Sequence, residues 1–416
     1  MTNLAEQIEK QLPAELVSFM HTAGELAASQ GQRLYLVGGV VRDLLLGKPN
    51  YDLDLVVEGN AIELARQLAG LKQGKITTHT RFNTAKVQWD EWSVDFATAR
   101  SETYARPGAL PTVKPSTIEN DLFRRDFTIN AMAVHLSPDR YGELIDLYGG
   151  RGDLEGKLIR ILHEKSFIDD ATRIWRGLRY EQRLDFHIER RTLELLKRDI
   201  TMLDTISGDR IRYELECVFQ EKTPEKVLRR AAELGVLQKL YPKLTGNGCL
   251  AEKFESARRL SAPNPPSFSL YLALLTYHLT LEKIETLISY LRLPKPVAQT
   301  LRDTLEIKSR LKTLDSRLTN SGIYRLLHGY SQTAISANLL ATNSGAARRK
   351  MELFLNKLRY VKSALTGDDL LKMGIPQGPQ IKEILARLLE ARLDGKVTTK
   401  REEVEMVRGW GDRGGS

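Results

Sequence analysis

The sequence predicts an α+β fold, with a small β-sheet near the N-terminus and helices through the rest of the chain. Up to about residue 97, short apolar runs alternate with turn-forming residues, as is typical of strands joined by short helices. From Phe167 onward the strand signal nearly disappears and apolar residues recur at helical spacing. A chain of 416 residues is long enough for two to four domains of this kind.

Composition and charge favour a globular protein with a polyanionic partner. Hydrophobic residues make up 42% and charged residues 28% of the chain, which is ordinary for a soluble domain. The net charge of +9 favours a polyanion, although it could serve solubility alone. The cysteines Cys217 and Cys249 stand outside any CxxC pattern, which disfavours a disulfide framework or a zinc site. Without a signal peptide or an apolar run of ~20 residues, we expect a cytoplasmic protein with no membrane contact.

The most informative stretch runs from Leu34 to Glu58. A strand-like run ends at Gly38-Gly39, a short helix follows, and a second strand carries Asp52 and Asp54. Because side chains alternate along a strand, both carboxylates project to one side, where they repel each other unless a cation is bound. Mg²⁺ takes oxygen ligands and shares them with phosphates, and glycines before a helix offer backbone N–H groups to phosphate. Either short motif alone is usually structural, but the combination suggests nucleotide chemistry.

This order of motifs resembles a known family. It is similar to the opening motif GG-x-VRD-x-LLG followed by DxD of the class II tRNA nucleotidyltransferases, which add or repair the 3′-terminal CCA of tRNA, and of the bacterial poly(A) polymerases. The matching positions are Gly38, Gly39, Arg42, Asp43, Asp52 and Asp54. The resemblance implies a nucleotidyltransferase head with a small mixed sheet, followed by an all-helical neck, body and tail. We place these domains at 1–150, 151–222, 223–345 and 346–416, with base selection in the neck and tRNA binding in the tail.

A third acidic residue, Asp95, lies in the next strand-like segment. It could simply pair with a nearby arginine, but after the DxD motif it fits the third carboxylate that the resemblance places on a following strand. The resemblance implies that Asp52 and Asp54 hold Mg²⁺. Asp95 would then help to activate the tRNA 3′-hydroxyl for attack on the α-phosphate, with release of pyrophosphate.

Residues 99–120 predict a loop, because they contain several prolines and few apolar residues. The family has a flexible loop at this place that is associated with the switch from adding C to adding A, and enzymes that add only C lack it. The following segment, Phe123 to Ala133, matches the family's RRDFT-x-NAMA motif. The match implies that Arg125 binds the nucleotide, since the arginine fork suits phosphate oxygens, and that Asp126 orients Arg125.

The segment from Asp169 to Tyr180 predicts one continuous amphipathic helix with arginines at every third position. In an isolated helix these would form a solvated basic face. The segment resembles the family's EDxxR motif, however, with Asp170 and Arg173 in the working positions and Asp169 in place of the usual Glu. The resemblance also implies triphosphate and sugar contacts from Gly39, Arg42, Arg125, Arg176 and Arg179.

Asp170 and Arg173 have complementary hydrogen-bonding groups. Ionised Asp only accepts hydrogen bonds and Arg only donates them. Cytosine and adenine both present an amino donor beside a ring-nitrogen acceptor, whereas guanine and uracil present the reverse. The pair could therefore select C and A without a template, since a mismatch costs ~2–5 kcal/mol.

These inferences predict a CCA-adding tRNA nucleotidyltransferase that uses CTP and ATP and binds the acceptor end and stem of tRNA. Three alternatives stay open: an enzyme that adds only the terminal A, a poly(A) polymerase, and a non-catalytic RNA-binding protein. In the helical remainder, a basic run between Arg348 and Lys362 could contact RNA phosphates or form a solvated face.

Overall fold

The computed structural model describes residues 2–242, 244 and 248–411. They divide into two compact units, of which one ends at Lys239 and the other begins at Leu240. The three boundaries between the four domains expected from the sequence stay predictions, and residues 412–416 of the expected tail lie outside the described residues. In the described ranges, no helix combines the length and the apolar character needed to cross a membrane.

The first unit contains the strands. They are β1 (Arg33–Val37), β2 (Leu53–Glu58), β3 (Lys75–His79), β4 (Thr84–Trp89), β5 (Trp92–Thr98), β6 (Arg100–Thr103), β7 (Thr112–Pro115), β8 (Ala133–His135), β9 (Leu144–Ile145), β10 (Leu158–Ile159) and β11 (His187–Ile188). Its helices are α1 (Ala5–Gln11), α2 (Ala14–Ser29), α3 (Gly39–Leu45), α4 (Ala61–Leu71), α5 (Ile118–Phe123), α6 (Gly150–Glu155), α7 (Ser166–Asp169), α8 (Thr172–Leu184), α9 (Arg190–Asp199), α10 (Gly208–Phe219) and α11 (Pro224–Glu233). Helix α12 (Val236–Leu240) contains the boundary between the units.

The main sheet is mixed and has the strand order β3-β4-β5-β2-β1-β8-β9. Strands β2 and β5 are parallel, and the other neighbouring strands are antiparallel. The predicted α+β class and small mixed sheet are therefore confirmed. The remaining strands form two short pairs, β6 with β7 and β10 with β11.

Alternation along the strands separates the core from the polar face of the sheet. Leu53 and Leu55 of β2 are buried, and Asp54 between them is exposed. On the apolar side, Phe19 of α2 stacks on Trp89 of β4 with ring centroids 4.5 Å apart and lies against Phe96 of β5. Helices α2 and α4 thus cover one face of the sheet, and the acidic residues of β2 and β5 lie on the other.

The segment predicted as a loop at 99–120 is more regular than expected. It forms a hairpin of β6 and β7, followed by the first turn of α5. The prolines that indicated a loop are compatible with this hairpin because both strands of a two-stranded sheet are edge strands. Pro115, for example, pairs with Arg100 at one end of the hairpin.

The second unit is helical throughout its described residues. Its further helices are α13 (Gly248–Ser261), α14 (Phe268–Thr276), α15 (Leu281–Tyr290), α16 (Lys295–Ser309), α17 (Leu311–Asp315), α18 (Asn320–Leu327), α19 (Gln332–Ala341), α20 (Gly345–Asn356), α21 (Gly367–Lys372), α22 (Pro379–Leu393) and α23 (Lys400–Gly411). Ile335, Met351 and Phe354 belong to one buried core, and Leu370 and Leu388 belong to a second. The leucine periodicity of this region therefore reflects the packing of its helices around buried cores.

Candidate active site

The sheet register brings the GG turn and the carboxylates together. Val37 pairs with Asp54 across the antiparallel strands β1 and β2, and Asp54 pairs with Asp95 across the parallel strands β2 and β5. Gly38 directly follows Val37, so the turn lies beside both acidic residues. This placement agrees with the expectation that the turn and the three Asp residues form one site, although their roles stay predictions.

Gly38 has a backbone conformation that requires glycine. Its φ is +79°, and a Cβ atom there would lie 3.0 Å from Nη1 of Arg125 and 3.6 Å from Oδ2 of Asp54. The turn can therefore approach Arg125 and Asp54 only because residue 38 carries no side chain. Helix α3 starts at Gly39, so its free N–H groups lie at the same place.

Asp54 lies in an environment that resists its ionisation. Partial desolvation by the surrounding cavity walls raises its pKa, the nearby carboxylates of Asp95 and Asp52 add to the shift, and the guanidinium of Arg125 opposes it. Asp95 forms an ion pair with Lys86, whose Nζ lies 2.9 Å from Oδ2 of Asp95. The alternative partner expected for Asp95 was an arginine, and the structure places a lysine there instead.

These carboxylates fit a divalent cation only in part. Among the described residues, no group of three or more His, Cys, Asp or Glu side chains converges well enough to hold a metal ion. Desolvation chiefly raises the pKa of Asp54, and Asp95 and Asp52 add to the shift; a bound cation would oppose all three effects. Two carboxylates are a sufficient protein contribution for Mg²⁺, which usually completes its octahedron with water and phosphate oxygens.

The sequence suggested that Asp126 orients Arg125, but in the structure Asp126 pairs with a different arginine. Its Oδ2 accepts hydrogen bonds from Arg176, with Nε at 2.9 Å and Nη2 at 2.7 Å. Burial opposes ionisation, but Arg176 and the Asn130 amide hold the pKa of Asp126 at about 2. Arg125 instead pairs with Asp121, and in the described part of the chain its buried Nε has no hydrogen-bond partner.

Arg42 is held between the head and helix α8. Its Nε and Nη2 each donate to one carboxylate oxygen of Asp43 at 2.8 Å, and its Nη1 donates to Asn130. Its guanidinium lies 5.3 Å from the centre of the Tyr180 ring, which is also 5.8 Å from three further guanidiniums, those of Arg176, Arg179 and Arg183. The aromatic ring thus lies within cation–π distance of four positive charges.

The helix predicted over Asp169 to Tyr180 is interrupted at the acidic residue itself. Helix α7 ends at Asp169, Asp170 has an extended backbone, and α8 begins at Thr172. Oδ1 of Asp170 accepts hydrogen bonds from the backbone N–H and hydroxyl of Thr172, which favours a break at this place. The same oxygen accepts from Nη2 of Arg210 at 2.7 Å.

Arg173 is buried and its orientation is fixed by two groups of the protein. Nη1 donates to the hydroxyl of Ser166 and Nη2 to the backbone carbonyl of Arg124, both at 2.6 Å. Asp170 and Arg173 line the same cavity of about 510 Å³. Of the other predicted site residues, those that also line it are Gly39, Arg42, Asp52, Asp54, Arg125 and Arg176.

Two predicted site residues do not line this cavity. Asp95 lines an adjoining cavity of about 340 Å³, together with Asp54. Arg179 is buried behind the cavity wall, where it pairs with Glu214 and Glu221. Arg183, one turn further along α8, lines the cavity in its place. Its position in the arginine series could have identified it, since residues three and four apart share a helix face.

The cavity also contains residues that the sequence did not single out as ligands. Tyr180 and Asn130 position arginines, as described above, and Glu102 and Tyr104 reach the cavity from the end of β6. No local motif marks Glu102 or Tyr104, because they reach the cavity only through the hairpin.

A mixed-sheet head with a GG turn and a DxD strand, joined to an arginine-rich helix, defines the nucleotidyltransferase class. Residues 34–160 match the model of the poly(A) polymerase head domain, and residues 185–246 match the model of a probable RNA and SrmB-binding site of polymerase A. The chain belongs to the class II tRNA nucleotidyltransferase and poly(A) polymerase family.

Curated relatives differ in name and in length. The A-adding tRNA nucleotidyltransferase of Halalkalibacterium halodurans is 33% identical, over 98% of this chain and 95% of the relative. The A-adding enzyme of Geobacter sulfurreducens is 35% identical over 96% of this chain, but the chain spans only 48% of that relative. The CCA-adding enzyme of a Geobacillus species is 28% identical, over 90% of this chain and 92% of the relative.

Solved structures agree over nearly the whole chain. The CCA-adding enzyme of Thermotoga maritima in complex with tRNA is 34% identical, with a TM-score of 0.77 over 98% of both chains. Structures of a CCA-adding enzyme with ATP and with CTP have TM-scores of 0.81 and 0.80. Both are 33% identical to this chain, and each match covers 98% of this chain and 98% of the solved chain.

Proposed function

We propose that the protein adds the terminal A to tRNAs that end in CC, with ATP as the substrate and pyrophosphate as the product. The observation that carries the proposal is the single cavity in which Asp170 and Arg173 lie together with Asp52, Asp54 and a set of arginines. A base reader and a phosphate site in one cavity are what template-independent nucleotide addition requires.

The fixed orientation of the base-reading pair supports this proposal. Asp170 is held by Thr172 and Arg210, and Arg173 is held by Ser166 and the Arg124 carbonyl. Adenine offers an amino donor to Asp170 and a ring nitrogen to Arg173. A rigid pair rejects the opposite pattern more strongly than a mobile pair, because it cannot turn to relieve a mismatch.

The phosphate end of the site follows from the arginines and carboxylates. Arg42, Arg125, Arg176 and Arg183 line the cavity and would bind triphosphate oxygens. Asp52 and Asp54 would hold Mg²⁺, which when bound would neutralise charge on the phosphates. Asp95 lies next to Asp54 and would orient the RNA 3′-hydroxyl for attack on the α-phosphate.

The comparisons favour addition of A over the CCA addition predicted from the sequence. The curated relatives named as A-adding are 33–36% identical to this chain, and those named as CCA-adding are 27–28% identical. CCA addition is the second candidate, because solved structures of CCA-adding enzymes are 33–34% identical. The hairpin of β6 and β7 lies where the family has its loop for switching from C to A; because enzymes that add only C lack that loop, the hairpin argues against C-only addition and fits both candidates.

An incorporation assay with single nucleotides tests the proposal. Transcripts that end before CCA, after C and after CC are incubated separately with CTP and with ATP. We expect addition of one A to the transcript ending in CC and no addition of C to any transcript. Addition of C to the shortest transcript would contradict A-only addition and favour the CCA candidate. Long A tails on unrelated RNA would instead indicate a poly(A) polymerase.

A further inference from the structure

A second cavity, of about 460 Å³, shares a wall with the nucleotide cavity. The shared wall consists of Glu102, Tyr104, Arg124 and Arg173, each of which lines both cavities. The volume lies within the ~300–1,000 Å³ range of small-molecule sites. The proposed function assigns no occupant to this second cavity, which we call the flanking cavity.

The shared wall is held rigid by hydrogen bonds between its own members. Glu102, whose side chain is only 7% exposed, accepts from the Tyr104 hydroxyl at 2.8 Å and from Nη1 of Arg124 at 3.2 Å. Arg173 donates to the Arg124 carbonyl. The flanking cavity is therefore preformed, and Arg173 of the base-reading pair forms part of the wall between it and the nucleotide cavity.

The lining of the flanking cavity also includes aromatic rings. Phe123 is 45% exposed, which is unusual for a phenylalanine that lines a cavity. Its ring lies 5.0 Å from the ring of His163 and 5.9 Å from that of Tyr148. Burial and the charge of Arg173 lower the pKa of His163 against the opposing effect of Asp169, so its imidazole is neutral near pH 7. An exposed flat ring beside a neutral imidazole is a surface on which a nucleobase stacks well.

The position of Arg124 connects the flanking cavity to the reacting groups. Arg124 lines the nucleotide cavity, the flanking cavity and the adjoining cavity that contains Asp54 and Asp95. If the 3′-hydroxyl of an RNA strand lies at Asp54 and Asp95, the base of its last nucleotide must lie within the length of one nucleotide from these carboxylates. Because Arg124 borders all three cavities, the flanking cavity adjoins both the cavity for the incoming nucleotide and the cavity that contains the reacting carboxylates.

We infer that the flanking cavity binds the unpaired base of the last RNA nucleotide, stacked on Phe123. The inference rests on the proposed function, because that function requires an RNA strand with an unpaired end. Asn120 and Ser101 line the cavity and offer hydrogen-bonding groups to the base edge, and Lys165 supplies a cation for the phosphate. The site shares Arg173 with the base-reading pair but does not include Asp170, and it would position the acceptor strand.

The test uses the full-length protein and a hairpin RNA that ends in CC. Pyrrolocytosine replaces the last cytosine, and its fluorescence is quenched when it stacks. The informative variant is Phe123→Leu, which keeps an apolar side chain but removes the ring; Phe123→Trp restores a ring. Tyr213→Ala is the matched control, because Tyr213 is a 60% exposed aromatic residue on α10 that does not line the flanking cavity.

We expect the wild type, Phe123→Trp and Tyr213→Ala to quench the probe without ATP, and Phe123→Leu to quench it weakly. With unmodified RNA, Phe123→Leu should raise the KM for RNA about tenfold, as loss of one stacked base implies, and leave the KM for ATP within about twofold. Equal quenching by wild type and Phe123→Leu would overturn the inference, as would parallel increases in both KM values.

The binding readout is independent of the proposed reaction. Failure of the wild type to add A to RNA ending in CC would contradict the proposed function. Such a failure would leave the quenching result interpretable, because quenching is measured without ATP. Addition of A by the wild type together with unchanged quenching in Phe123→Leu would overturn only the inference about the flanking cavity.

Discussion

The buried Asp126 forms an ion pair with the half-buried Arg176 in the lining of the nucleotide cavity, and this pair makes stability depend on pH. Because the pKa of Asp126 is about 2 in the folded protein, its ionised form stabilises the fold above the ordinary carboxylate pKa. That stabilisation is lost as the pH falls from about 4 towards 2. We expect Asp126→Asn to lose about 2 kcal/mol at pH 7 and about half of that at pH 3, measured by urea denaturation.

A matched control for this variant is Asp204→Asn. Asp204 pairs with Lys239, but its side chain is 59% exposed, so its loss should cost little at either pH. An equal loss for Asp126→Asn at pH 7 and pH 3 would contradict the assigned role of the ion pair.

The raised pKa of Asp54 indicates that a bound cation would stabilise its ionised form. We expect Asp54→Asn to lower the rate of A addition about 10³-fold or more, since several kcal/mol of charge stabilisation would be lost. The KM for ATP should change much less, because the arginines remain. Asp90→Asn, an exposed acid between β4 and β5, serves as the control. A rate within tenfold of wild type for Asp54→Asn would remove Asp54 from the reaction.

At the scale of single elements, the turn between β1 and α3 shows how backbone conformation positions the site. Gly38→Ala would place a methyl group 3.0 Å from Arg125, in a backbone conformation that disfavours alanine. Gly47→Ala is the matched control, because φ at Gly47 is also positive, at +64°, but a methyl group there would meet no other group within 4 Å. We expect both variants to lose about 1 kcal/mol of stability and only Gly38→Ala to raise the KM for ATP. Equal KM values in the two variants would contradict a role for the turn in nucleotide binding.

The basic run in the second unit contains residues of two kinds. Lys350 donates hydrogen bonds to the carbonyls of Leu314 and Ser316 and therefore supports the end of α17. Arg359, by contrast, lies 4.9 Å from the ring of Tyr360, which is 65% exposed. An arginine on an exposed aromatic ring is suited to contact with RNA.

We expect Arg359→Gln to weaken tRNA binding and to reduce the slope of log affinity against log salt by about 0.7–0.9, the value for one phosphate contact. Lys350→Gln should lower stability and leave the salt slope unchanged. Filter binding at several salt concentrations measures both slopes. An unchanged slope in Arg359→Gln would exclude Arg359 from the RNA interface.

At the scale of the whole molecule, periodicity and ordered motifs were sufficient to predict the fold class. The apolar runs of β1 and β2 and the helical spacing after Phe167 gave the mixed sheet and the helical remainder, because burial imposes those periods. The same logic placed Asp52 and Asp54 beside the GG turn, since strand alternation and the short connection leave little freedom.

The sequence could not predict features that depend on contacts between distant segments. The helix break at Asp170 depends on hydrogen bonds from Thr172 and on the distant Arg210. The burial of Arg179 depends on Glu214 and Glu221, which lie 35 and 42 positions away along the chain. Helical spacing shows only that Arg176, Arg179 and Arg183 are neighbours on α8. Which of them lines the cavity is decided by the helices that pack around them.

The central claim is that Asp170 and Arg173 select the base in place of a template strand. The most direct measurement is the ratio of kcat/KM for ATP to that for GTP on RNA ending in CC, in the wild type, Asp170→Ala, Arg173→Ala and the neighbouring control Asp169→Asn. We predict that the ratio falls about 30-fold or more in the first two variants and stays within about threefold in the control. An unchanged ratio in Asp170→Ala and Arg173→Ala would contradict the claim.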